Sequence, residues 1–98
     1  MITDLNIAKS DWMSVNKMLD CVFHAERVIW VPGGQGGQDQ VVFVLEPEDG
    51  RLRYVYTFAV VAVRAFGILK ALCPCDVVFH QIKGYYTLDV FPVPEAYV

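Results

Sequence analysis

Ninety-eight residues make one domain's worth of chain with no room for a second core, so 1–98 reads as a single domain. Ala, Val, Ile, Leu, Met, Phe, Trp, Cys and Gly fill 56 of the 98 positions, above the usual share of roughly 45–50%, which excludes an intrinsically disordered chain. Eight Lys and Arg stand against eleven Asp and Glu, a net charge of −3, so binding by phosphate neutralisation is disfavoured and no nucleic-acid partner is expected.

Ser10-Asp11 is a helix-start signal, because either side chain can accept from an orphan N–H of a first turn. Trp12, Val15, Met18, Leu19, Val22 and Phe23 then recur with helical spacing, which predicts a helix over 10–24. Arg27 to Val31 is β-branched and aromatic and reads as a strand stopped by Pro32-Gly33-Gly34. The stretch 35–40 has nothing to bury and reads as a long mobile loop, followed by the apolar strand Val41 to Leu45.

Glu46-Pro47-Glu48-Asp49-Gly50 carries the chemistry of a tight turn. Leu52, Tyr54, Tyr56 and Phe58 then alternate with Arg51, Arg53, Val55 and Thr57, so an antiparallel hairpin is expected. From Phe58 to Leu72 valines compete with a helical stripe of Phe58, Ala62, Ala65, Phe66, Leu69 and Leu72. Length decides for a helix at 59–72, because a strand from Arg51 through Val63 would be unusually long. Val77 to Ile82 and Tyr85 to Phe91 form a second hairpin around Lys83-Gly84, and Pro92 and Pro94 close it.

The order α-β-β-β-α-β-β implies an α+β fold: a mostly antiparallel sheet of four or five strands, with two helices packed on one face. The open face is expected to carry Arg51, Arg53, Val55 and Thr57. A membrane span is not expected, since the longest apolar tract, Tyr54 to Val63, is ten residues and a span needs roughly 20. Met1 to Asp4 lack the basic start of a secretory leader, and three cysteines do not make a disulfide framework. A cytoplasmic setting follows as the expectation.

Candidate chemistry is sparse. The Gly-rich loop joins two strands and lacks a following Lys-Ser or Lys-Thr, so it does not have the setting of a phosphate cradle. Gly33-Gly34-Gln35, echoed as Gly36-Gly37-Gln38, resembles the Gly-Gly-Gln motif of peptide-chain release factors, whose loop helps water attack peptidyl-tRNA. The likeness covers three residues, and the net charge opposes ribosomal RNA binding. Cys21, His24, Cys73 and Cys75 are a ligand set of the type that holds tetrahedral zinc, with Cys21 and His24 on one face of the expected first helix. Buried thiols are the plainer reading, and no cofactor is expected.

Gln81-Ile82-Lys83 resembles a variant of the acidic-x-Lys element of metal-dependent nucleases, with Asp76 and Asp89 as the nearest carboxylates. His80 alternates with apolar residues and reads as a hydrogen-bonded structural side chain. Residues 1–50 carry a net −5 and residues 51–98 a net +2, which makes self-association electrostatically plausible. The apolar surplus, with no convergent catalytic set, points to a protein-interaction module, an inhibitor, adaptor or immunity-type protein of a bacterium or phage, acting as a homodimer. Its expected contacts are Trp30, Gln35, Gln38, Asp39, Arg51 and Arg53. The alternatives are the zinc-stabilised module and a small hydrolase or nuclease.

Overall fold

A computed structural model of the chain describes residues 12–33, 35–45 and 52–92. Among the described residues six strands form one sheet in the order β1-β4-β3-β2-β5-β6. They are β1 (Trp12–Ser14), β2 (Phe23–Val31), β3 (Gln40–Leu45), β4 (Tyr54–Thr57), β5 (Cys75–Ile82) and β6 (Tyr85–Pro92). β1 runs parallel to β4 and every other neighbouring pair is antiparallel, so the sheet is mixed. Two short helices, α1 (Val60–Arg64) and α2 (Phe66–Leu72), pack on one face. The α+β class stands, with one strand more than expected.

The segment read as a first helix, 10–24, is not one where it is described. It makes β1, a single 3₁₀ turn over Val15–Lys17 and an irregular crossing into β2. Tertiary pairing outweighs weak propensity here. Trp12 pairs with Tyr54 and stacks on its ring at 5.0 Å, Leu19 bridges Phe79, and the Asp20 amide donates to the Phe79 carbonyl at 2.8 Å. Ser14 Oγ accepts from the Asn16 amide at 3.2 Å and starts the lone turn, and Asp20 ends the crossing at φ +62°. Val22, assigned to the apolar stripe, is exposed. Both described α-helices come from the later stretch, which breaks at Ala65 into α1 and α2.

The helix-covered face holds the main core. Phe43 meets Phe23 and Phe79 edge-on at 5.4 and 5.7 Å, while Ala62 and Leu69 press down from the helices, fully buried. A bulge between Ala25 and Arg27 absorbs one residue of β2 and keeps Phe23, Ala25 and Val28 on this same face. β4 corrects a face assignment. Val55 and Thr57, expected on the open side, lie buried on the helix side opposite Phe43 and Val41. Tyr54 and Tyr56 share the other face with Val44 and Val42. Alternation fixes which residues share a face, but not which face the helices take.

The sheet is curled. The Tyr86 hydroxyl of β6, at one edge, donates to Asn16 Oδ1 in the turn after β1, at the other edge.

Candidate partner-binding site

Thr57 ends β4 and begins the helical segment with its own side chain. Its Oγ1 accepts from the Ala59 amide at 3.0 Å, and the Ala59 carbonyl then accepts from the Ala62 amide at 3.0 Å and the Val63 amide at 3.2 Å. This turn leaves Phe58 and Val60 facing out. Across from them, β5 and β6 are joined by Lys83 and Gly84, at φ +50° and +84°, the positive-φ pair of a tight two-residue hairpin turn. Glycine takes its value freely, whereas lysine must tolerate it.

Helices and hairpin tip enclose a groove of about 590 Å³. Val60, Val61, Ala65 and Ile68 form one wall and the hairpin residues Gly84, Tyr85 and Tyr86 the other, and among the described residues Arg64 is the only charged one along it. A second groove of about 300 Å³ adjoins it, sharing Ala59, Val60 and Tyr86 and extending past Phe58 to Ser14 and Asn16. Four large apolar side chains stand open around the pair: Phe58 at 47%, Val60 at 62%, Ile68 at 64% and Tyr85 at 76% of their accessible surface. Among the described residues neither groove is lined by a histidine, cysteine or carboxylate.

The residues expected from sequence lie elsewhere. Trp30 sits 45% exposed on the helix face with its ring 5.6 Å from Phe66. Gln35 and Gln38 are exposed in the β2–β3 loop, while Asp39 turns inward, its Oδ1 accepting from the Gly33 amide at 3.0 Å. Arg53 is exposed beside Leu45, whose amide donates to its carbonyl, at the far end of β3 from the Val41 that pairs with Trp30. Arg51 lies outside the described residues, as does the turn 46–50. The loop itself is tightly built. A Cβ on Gly37 would lie 2.2 Å from the Gly33 carbonyl oxygen, and one on Gly33 would lie 2.4 Å from that of Gln38, so only glycine lets the two limbs approach.

The four zinc candidates do not converge. Without a helix at 21–24, Cys21 and His24 lose their shared face. Among the described residues no three of His, Cys, Asp and Glu are placed to hold an ion. Cys73 and Cys75 lie with sulfurs 3.7 Å apart around a cis Pro74, and all three cysteines are free. Burial pushes the Cys73 thiol up to about 12, helped by its hydrogen bond to Cys75 and by the charges of Cys75 and Glu26. Burial raises the Cys75 thiol too, although the bond from Cys73 opposes it. Both are protonated at neutral pH and are poor nucleophiles.

Each histidine stands between carboxylates. His24 Nδ1 is 2.9 Å from Asp76 Oδ1 and its Nε2 is 3.5 Å from Glu26. His80 Nδ1 is 2.5 Å from Asp20 Oδ1 and its Nε2 is 3.7 Å from Asp89. The Asp20 contact fastens the β1–β2 crossing to β5 beside the Leu19 bridge, a structural clip of the kind expected of His80. Asp76 and Asp89 are thus each engaged with a histidine, away from Lys83, which occupies the hairpin turn.

The groove was not foreseen, because it forms between segments more than 15 residues apart in the chain. One signal was available: Val60 and Ile68 fall off the stripe that marks the buried face of 59–72. No protein-family model matches this chain, and no curated protein or solved structure matches it. No helix among the described residues is long and apolar enough to cross a membrane.

Proposed function

We propose that this chain is a non-catalytic protein-interaction module that docks a partner protein in the groove between α1–α2 and the β5–β6 hairpin. The observation that carries this reading is the exposure of Val60 and Ile68, 62% and 64% open to solvent, along this groove, with Phe58, 47% open, on the groove that adjoins it. Scattered apolar residues are normal on a protein surface, but a contiguous patch with aromatic members is the composition of an interface centre. Arg64, the one charge among the described residues lining the groove, favours a partner segment that brings apolar side chains and one carboxylate. The inhibitor or adaptor class fits such a module, and a cytoplasmic setting accords with three free cysteines.

The test is site-specific photo-crosslinking in the cells that express the protein, with a benzophenone side chain at Val60 or Val61 and, for comparison, at Trp30 or Gln38. Adducts of one discrete mass from the groove positions, lost in Ile68→Glu, are expected. Adducts from Trp30 and Gln38 alone would move the contact to the sequence-expected loop end and overturn the groove.

A further inference from the structure

We infer that β6 is the seam of a symmetric homodimer, formed by antiparallel pairing with β6 of a second copy and centred on Leu88. This deepens the interaction-module reading and rests on it. β6 is an edge of the described sheet and runs eight residues from Tyr85 to Pro92 in unbroken register with β5. Proteins guard long edges with charged side chains, lysine above all, with bulges, proline or a covering element. β6 holds no Lys or Arg and no bulge; its guards among the described residues are the single charge of Asp89 and Pro92 at its end. Tyr85 and Phe91, both on the face away from the helices, are 76% and 52% exposed.

The occupant follows from symmetry and charge. A twofold axis normal to the sheet gives antiparallel edges and keeps like faces together, so only residues of like facing can lie opposite each other. Centring on Asp89 sets two carboxylates face to face, which is destabilising. Centring on Thr87 sets Tyr85 against Asp89 of the partner subunit and carries Phe91 past the strand onto the turn. Centring on Leu88 overlaps the whole strand, sets Tyr85 against Phe91 of the partner subunit at both ends, and gives Asp89 the hydroxyl of Thr87 of the partner subunit. The four aromatic rings and two strand edges would bury on the order of 1,000 Å², the low end for a specific interface. A dissociation constant of about 1–100 μM is therefore expected.

Sedimentation over about 1–300 μM on the intact chain tests this, with far-UV circular dichroism reporting folding. Tyr85→Lys/Phe91→Lys should raise the dissociation constant about 100-fold by placing lysines opposite each other, and Tyr85→Glu/Phe91→Lys should return it to within about 10-fold of the unaltered chain. Hydrogen exchange on the unaltered protein should show amides of 85–91 slowing as concentration rises, a readout that survives if a variant fails to fold. An unaltered chain that stays monomeric at about 300 μM, a Glu/Lys variant no better than the Lys/Lys one, or exchange independent of concentration overturns the seam. A monomer that still gives the Val60 adduct loses the seam and keeps the interaction reading. A dimer that responds to both double variants but gives no Val60 adduct keeps the seam and loses the groove.

Discussion

Leu69 and Ile68 are neighbours on α2 with opposite surroundings, and truncating each in turn tests how the helix is seated. Leu69 is fully buried on the sheet, whereas Ile68 is 64% exposed on the groove wall. Leu69→Ala removes a side chain that cannot be replaced by water or by collapse of the sheet beneath, where the Phe23, Phe43 and Phe79 rings lock one another. Such changes cost about 2.7–5 kcal/mol, and a helix of seven residues held largely by this contact belongs near ~3 kcal/mol. A domain of this size holds about 5–15 kcal/mol in all, so the variant folds but loses a large part of its margin. Ile68→Ala gives up only the buried third of a side chain worth about 1.5–3 kcal/mol, and alanine's better helix propensity returns part of that, leaving under ~0.5 kcal/mol. Urea unfolding reads both: with m near ~1.5 kcal/mol per molar, the midpoint should fall by about 2 M for Leu69→Ala and by less than about 0.4 M for Ile68→Ala. Equal shifts, or a Leu69→Ala loss below about 1 kcal/mol, would mean that α2 is not seated on the sheet by this face, and the groove built on its other face would go with it.

Two further outcomes bear on the loop and the thiols. Gly37→Ala should cost about 1–3 kcal/mol by thermal melting, because the new methyl meets the Gly33 carbonyl oxygen at 2.2 Å, whereas a freely mobile loop would absorb it unchanged. Cys73 holds its proton up to about 12 against an ordinary 9.0, so the stability this contributes is complete below 9.0 and drains away as pH climbs toward about 12. Cys73→Ala should flatten that alkaline decline, and iodoacetamide at pH 8 should label the exposed Cys21 well before Cys73 or Cys75. Equal labelling of all three refutes the burial that raises these thiols.

Local chemistry determined the parts of this fold whose partners lie close by in the chain. Lys83-Gly84 forces a two-residue turn, the alternation from Leu52 to Phe58 makes a strand that pairs with Val41–Leu45, and length tips 59–72 into helix; all three are legible in the residues themselves. The α+β class follows from these. Tertiary contact decided the rest. Trp12 to Phe23 has the spacing of a helix, yet Trp12 stacks on Tyr54 and Leu19 joins Phe79, contacts across 42 and 60 residues that no local pattern records. The same holds for the faces of β4, which turned on where α1 and α2 settled, and for the candidate cleft, which exists only because the curled sheet brings the hairpin tip to the helices. A periodic pattern states which side chains travel together; what they travel toward is set by the burial available once the whole chain has closed.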